Sequence, residues 1–254
     1  MKILVTGYKG FIAPHIIKRL RIDGHDVIMS DHGDRWMHNF STLDWVIHCG
    51  AISSTTESDV EKIMRQNYDS TIEIYEACKY FGVNLQYSSS ASIYGMGTEF
   101  KETSPPDPRS PYAWTKYLIE RTVSKMPSKI IVQGFRYFNV YGEGEDHKGS
   151  QASPHHQFAK QARENSEIKV FDGSVNFRRD FVPVENVVEA HLKFLDIKES
   201  GVWNVGTGET KSFMDVAKSF NVPIKFIPMP ENLVKSYQKY TCADMTKYNE
   251  IIPS

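Results

Sequence analysis

The chain has 254 residues, with 30 Lys and Arg against 31 Asp and Glu for a formal charge of -1, and 40% hydrophobic residues with 16 glycines; this composition fits a globular protein with a full core and no bias toward disorder. Near-neutral charge with scattered basic residues leaves no basic stripe for nucleic-acid binding, and no apolar run is long enough to span a bilayer. Cys49, Cys78 and Cys242 are odd in number, far apart and without a Cys-x-x-Cys pairing, so they read as buried small hydrophobes rather than a disulfide framework or a thiolate metal site.

In chain order, residues 2–6 read as a strand, 11–22 as a helix and 26–30 as a second strand, which is a βαβ opening. The apolar start is too short for a signal peptide and runs directly into this motif, so a cytoplasmic location is expected. Residues 45–48 give a third buried strand, 57–81 a long helix with apolar positions at helical spacing, and 84–88 a fourth strand. The helix over 112–126 is introduced by Pro111 and stopped by Pro127, and 129–135 supplies a fifth strand. After Tyr141 the connections become rich in Gly, His, Ser and Asp, with a helix near 154–163 and short strands near 168–171 and 201–205, taken as the substrate side. Residues 180–182, followed by a helix over 184–195, read as a strand and helix returning to the main sheet.

Strands alternating with helices imply a Rossmann-type, doubly wound parallel α/β sheet with a smaller interleaved α/β substrate-binding lobe. The expected division assigns 1–138, about 180–208 and 238–246 to the dinucleotide-binding domain, and about 139–179 and 209–237 to the lobe.

Three segments carry chemistry. Thr6-Gly7-Tyr8-Lys9-Gly10-Phe11-Ile12-Ala13 sits where the first strand passes into the first helix, so Gly7 and Gly10 let the backbone turn tightly and approach a pyrophosphate at the helix N-terminus. Asp31, at the end of the second strand, is placed to hold an adenosine ribose and argues for NAD, while His32 and Arg35 leave NADP open. Ser88-Ser89-Ser90-Ala91-Ser92-Ile93-Tyr94-Gly95 follows the fourth strand, where ligand-binding loops lie; Ser90 is the favoured catalytic hydroxyl and Ser89 the reserve. Tyr112 and Lys116 stand four apart, on one face of a helix. A cation beside a phenol that normally titrates at about 10 favours the phenolate, and so a base near neutrality. His155 and His156 are adjacent and point to different helix faces without an accompanying carboxylate-histidine set, so no metal site is assigned.

The glycine turn, serine loop and Tyr-x-x-x-Lys, in that order, resemble the extended short-chain dehydrogenase/reductases, the NAD-dependent epimerase/dehydratase family. The segments 50–57, 135–142 (Phe-Arg-Tyr-Phe-Asn-Val-Tyr-Gly), 147–153 (His-Lys-Gly-Ser-Gln-Ala-Ser), 176–182 and 237–241 extend the resemblance, across nearly the whole chain, to the 6-epimerases of ADP-L-glycero-D-manno-heptose. That resemblance implies a redox epimerisation of a nucleotide-diphosphate sugar, ADP-heptose, by one tightly bound NADP or NAD through a transient ketone at C6. Tyr112 and Lys148 would be the opposed acid/base pair, Lys116 would hold the nicotinamide ribose, and Ser90 would orient the reacting oxygen.

The same carry-over sets Phe11, Ile12, Asp31, Cys49, Gly50, Ala51, Ile52, Ser53, Lys116 and Val140 along the cofactor, with His32 beside them and Asn67 steadying the serine-loop backbone. Ser54, Asn139, Ser150, Gln157 and Tyr237 would face the sugar nucleotide, with the run Phe171, Asp172, Gly173 and Ser174, and Arg179 would pair with its diphosphate. A homo-oligomer is expected. The chain departs from that pattern in a shortened crossover between Asp31 and Trp45, in Gln157 where the family has a histidine, and in stopping short of the family's closing helices. The rival readings are a nucleotide-sugar 4-epimerase or reductase of the same family, the epimerase using Tyr112 as its sole base, and a non-catalytic dinucleotide-binding sensor.

Overall fold

The computed structural model describes residues 1–31, 39–54, 57–231 and 237–252. Its centre is β1 (Lys2–Thr6), whose Ile3, Leu4 and Val5 are all fully buried, as a strand covered by helices on both faces must be. β1 pairs in parallel with β2 (Asp26–Ser30) on one side and β3 (Trp45–His48) on the other. β4 (Asn84–Ser90), β5 (Val132–Tyr137) and β10 (Gly201–Val205) extend the sheet, in the order β10-β5-β4-β3-β1-β2, all parallel. Order reverses at β1, so the loops after β1 and β3 open side by side at the carboxyl edge, the usual place for a ligand crevice.

Each face is closed by helices with apolar stripes. α1 (Ile12–Ile22) buries Ala13, Ile16, Ile17 and Leu20, spaced at helical period, and α6 (Val184–Phe194) packs beside it. On the other face lie α4 (Pro111–Lys125) and one long helical run, made of α2 (Val60–Ile63), a π turn over Met64–Asp69 and α3 (Ser70–Phe81). Ile74, Tyr75, Cys78 and Ile119 from these helices pack on Leu4, Val46 and Leu85 of the sheet; each such side chain contributes roughly 1.5–3 kcal/mol by leaving water. The run starts three residues later than expected because Asp59 caps it, accepting from Lys62 N at 2.9 Å. It ends where Gly82 adopts a left-handed conformation. α4 starts at the Ser110 cap with Pro111 in its first turn.

Two strand expectations are corrected. The segment at 180–182 does not return to the main sheet: β9 (Phe181–Pro183) pairs with β6 (Asn139–Tyr141) as a separate parallel ribbon. It is three residues long and ends in a proline, which cannot donate to a ladder. The sixth strand is instead β10, which the chain-order reading puts on the substrate side although the expected division gives about 180–208 to the dinucleotide-binding domain. Its Trp203 and Val205 join Phe135, Tyr137 and Phe194 in one buried cluster, whose apolar area gives this strand its place on β5.

The remaining elements form a smaller α/β lobe. α5 (Pro154–Asn165) and α7 (Phe213–Lys218) pack on β7 (Ile168–Phe171), which pairs with β12 (Ile224–Ile227), around Phe158, Ile168, Val170, Met214 and Val216. β8 (Arg178–Arg179) and β11 (Lys211–Ser212) make a short antiparallel ribbon. No described helix is long and apolar enough to cross a membrane.

Candidate active site

Gly7 turns the chain out of β1 with φ +76, and a Cβ there would lie 2.6 Å from Gly50 N. The loops after β1 and β3 therefore touch at a point that admits glycine only. Gly10 N donates to Gly7 O at 2.9 Å, which closes the turn and aims the first turn of α1 outward. A cavity of about 230 Å³ runs over this turn, bounded by Asp31, Cys49, Gly50 and Ile52. A larger one, about 610 Å³, shares Gly7, Gly10, Cys49, Ala51 and Ile52 and continues past Phe11, Ile12, Ser53 and Ser54 to Ser90, Tyr112, Asn139, Val140 and Lys148. Glycine cradle, helix N-terminus and strand-end acid together fit a dinucleotide. Asp31 Oδ2 lies 3.6 Å from Lys9 Nζ. His32 and Arg35 fall outside the described residues.

Asn67 does not touch this crevice and does not steady the serine loop. It is fully buried in the π turn, accepts from Ile52 N at 2.7 Å, and donates to Ile52 O at 3.0 Å and Thr115 Oγ1 at 3.2 Å. Its amide is thus spent on the loop after β3. Beneath it, His48 joins Thr6 Oγ1 (2.7 Å) to Thr71 Oγ1 (3.0 Å), and burial pushes its ring down to about 3, so it is a neutral structural bridge. The sequence reading missed His48.

Tyr112 and Lys116 share a face of α4, as their spacing requires, with Lys116 Nζ 5.8 Å from the centre of the Tyr112 ring. The ammonium donates to the Ser88 carbonyl at 2.8 Å, and burial pushes it down to about 8. The expected lowering of the phenol is not what this geometry gives. Burial raises Tyr112 above its ordinary value, and the partner that works against burial is the Ser90 hydroxyl, through a side-chain hydrogen bond. Ser90 Oγ also accepts from Ser92 N at 3.1 Å. Side chains alternate along β4, and Ser89 is thereby committed elsewhere: its hydroxyl donates to Glu120 Oε1 at 2.5 Å, in a buried pair where Glu120 meets Arg136 at 2.6 Å. Ser90 is the hydroxyl left facing Tyr112.

Lys148 comes from a 3-10 turn over Asp146–Gln151. Its Nζ lies 2.9 Å from Glu145 Oε2 and 4.8 Å from the centre of the Phe11 ring. Glu145 is fully buried and accepts further from Ser153 N (2.7 Å), Ser153 Oγ (2.6 Å) and Gly142 N (3.2 Å). Burial works to raise its carboxyl, but the Ser153 and Lys148 hydrogen bonds outweigh it, and the group sits below its ordinary value. Sequence reasoning passed over Glu145; the available signal was Ser153 before Pro154, a helix cap beside a carboxylate-bearing turn.

The same turn walls a third cavity, of about 580 Å³, lined by Ser150, Gln157, Phe171, Ser174, Phe213 and Tyr237. The Ser174 hydroxyl there is buried without a hydrogen-bond partner among the described residues. Asp172 and Gly173 do not line it: both are exposed, in the turn that leaves β7, where Gly173 has φ +81. Gln157 Nε2 donates to Ser150 O at 3.0 Å and so braces the turn. Arg179 is buried between the rings of Tyr237 (5.4 Å) and Phe213 (5.6 Å), donates to the carbonyls of Arg178 and Gln238, and makes no ion pair among the described residues. His155 lies flat on Tyr141 with ring centres 3.8 Å apart, and burial pushes it down to about 4.

Comparison with known proteins agrees with this geometry. The chain is 35% identical to the ADP-L-glycero-D-manno-heptose-6-epimerase of Brachyspira hyodysenteriae, over an alignment 285 positions long that covers 96% of this chain and 90% of that protein. The solved ADP-L-glycero-D-manno-heptose-6-epimerase of Helicobacter pylori superposes with a TM-score of 0.87 at 23% identity, covering 98% of this chain and 89% of that one. The Thermus thermophilus UDP-glucose 4-epimerase, solved with NAD, gives a TM-score of 0.81 at 27% identity over 97% and 91% of the two chains. A profile of the NAD dependent epimerase/dehydratase family matches residues 3–206, from β1 through β10, and the chain belongs to that family.

Proposed function

We propose that the protein is a nucleotide-sugar epimerase that inverts C6 of ADP-glycero-manno-heptose through a transient ketone, with Tyr112 and Lys148 as opposed acid and base. The observation that carries this reading is that Tyr112, Ser90 and Lys148 line one cavity with the glycine turn. The identity to the Brachyspira epimerase supports the choice of sugar.

A dinucleotide bound here supplies the hydride acceptor, and later the donor, at its nicotinamide. The glycine turn and the start of α1 hold its pyrophosphate, Asp31 its adenosine ribose and Lys116 its nicotinamide ribose. The Asp31 carboxylate favours NAD, since it would repel a 2′-phosphate. Tyr112, oriented with Ser90, takes or returns the proton of the reacting oxygen on one presentation of the sugar, and Lys148 serves the other presentation, because reversing a centre through a planar ketone needs a proton partner for both. Arg179 pairs with the diphosphate. The cavity of Phe171, Ser174 and Tyr237 takes the nucleotide base, and Asn139 faces the sugar.

The test is to incubate the purified protein with ADP-D-glycero-D-manno-heptose and follow C6 by NMR, with Tyr112→Phe and Lys148→Met as controls. Interconversion that both substitutions abolish is the expected result. The likeness to a UDP-glucose 4-epimerase supports a second reading, in which Tyr112 is the sole base; there Lys148→Met is nearly silent and a hexose nucleotide is the substrate.

A further inference from the structure

Four donors converge on the buried carboxylate of Glu145. Three of them, Gly142 N, Ser153 N and Ser153 Oγ, join the end of β6 to the first turn of α5. The fourth is the Lys148 ammonium, and Lys148 lines the 610 Å³ cavity, as Ser153 also does. Lys148 Nζ is held on its other side by the face of Phe11, a residue of that same cavity. A carboxylate at hydrogen-bond distance and an aromatic face both stabilise a cation over a neutral amine.

We propose that Glu145 is the positioning residue of the second acid/base: it aims Lys148 into the cavity and holds it as an ammonium, so that Lys148 starts as the proton donor of the pair. This rests on the assignment of Lys148 under Proposed function. In the reducing step an N–H bond of Lys148 breaks and an O–H bond forms on the sugar oxygen as the reduced dinucleotide returns hydride to carbon. A neutral amine remains beside Glu145. In the opposite direction that amine takes the carbinol proton as hydride leaves, and the ammonium is restored against the carboxylate. Glu145 keeps its charge throughout.

Other titratable groups surround the pair. Asp146 and His147 share the turn, with Asp146 3.8 Å from His156 of α5. His155 of α5 stacks on Tyr141 of β6, and His15 of α1 bonds the Glu143 carbonyl at 2.9 Å. Lys9 and Tyr112 border the same cavity. Glu145 is the carboxylate paired with Lys148 Nζ among the described residues.

The experiment uses the enzyme with its retained dinucleotide. The Lys148 Nζ resonance is assigned in ¹⁵N-lysine-labelled protein by its loss in Lys148→Met, and its chemical shift is compared in wild type, Glu145→Gln and Glu145→Asp, where loss of the ion pair is expected to move it. Glu145→Gln is expected to lower kcat at least tenfold with KM little changed, and Glu145→Asp to recover part of the loss. The proposal is overturned if the Lys148 resonance is unchanged in Glu145→Gln, or if Glu145→Gln leaves kcat unchanged. A glutamine amide would face Ser153 N, so this variant risks misfolding; the reciprocal measurement, a rise of the Glu145 carboxyl titration in Lys148→Met followed by ¹³C NMR, then decides, and no rise overturns the proposal. A Lys148→Met variant that keeps full epimerase activity would instead defeat the second-base reading itself.

Discussion

Asn67 clamps the backbone of Ile52 at two points, accepting from its N–H at 2.7 Å and donating to its carbonyl at 3.0 Å. Ile52 borders both parts of the dinucleotide crevice, so a residue that never reaches the ligand fixes the floor the ligand rests on. Asn67→Ala leaves the part-buried N–H and C=O of Ile52 without this partner, at no more than roughly 1–3 kcal/mol for each group left unsatisfied. The expected outcome is a lowered urea midpoint together with weaker dinucleotide retention after gel filtration. Unchanged retention in a destabilised variant would separate the two effects and defeat the clamp argument.

The Ser90 hydroxyl opposes the burial that raises Tyr112. Removing it in Ser90→Ala should raise the phenol further. If Tyr112 works as the phenolate, the acid limb of the kcat profile then moves to higher pH and activity at neutral pH falls, with partial recovery in alkaline buffer. Tyr112→Phe should lose about 10²–10⁴ of the rate at every pH. A Ser90→Ala profile with the wild-type limb would remove Ser90 from the proton chemistry.

Stability should depend on two histidines outside the reacting groups. His48 and His191 are both pushed down to about 3, by burial first. Their folded values lie below the ordinary 6.5, so the unfolded chain binds more protons, and the stability they contribute is full above about pH 6.5 and falls as pH drops toward 3. Each adds a slope of about 1.4 kcal/mol per pH unit once the unfolded form is protonated. Urea midpoints measured from pH 7 to pH 5, above most carboxylate titrations, should decline. A flat series would mean that these rings are not held neutral.

Arg179 sits between two rings with no carboxylate partner among the described residues. Arg179→Lys keeps the charge but loses the planar stack and the bidentate fork. It should raise KM for the nucleotide-sugar at least tenfold while dinucleotide content is unchanged. An unaltered KM would mean that the guanidinium serves only the carbonyls of Arg178 and Gln238.

The parts of the site legible in the sequence are those whose partners are near in the chain. Gly7 and Gly10 bend one turn, Tyr112 and Lys116 are four apart on one helix, and Ser90 follows one strand. Distant pairings stayed hidden. His48 is fixed by Thr6 and Thr71, 42 and 23 residues away, and Tyr137 OH meets His191 Nε2 at 2.6 Å across 54 residues. The direction of the Tyr112 shift was hidden for the same reason: spacing places a lysine beside the ring, but the depth of burial depends on the whole fold. The strand at 181–183 failed because its apolar residues and following helix look like any βα unit. Only the competing burial of Trp203 and Val205 decides which strand joins β5.

The π turn over Met64–Asp69 has a consequence for the length of its helix. A π turn carries one residue more than the α-helical turn it replaces. Each residue in an α-helix advances the direction of a side chain by about 100°, but the wide turn already absorbs its extra residue within one revolution. Deleting one residue here and closing with a regular α turn would leave α2 and α3 in their present registers. Ile63 of α2 and Ile74, Tyr75 and Cys78 of α3 would keep their directions, while the residues inside the turn, Asn67 among them, would be displaced. The cost of a one-residue deletion between 64 and 69 should therefore fall on Asn67 and its hold on Ile52 rather than on the packing of α2 or α3.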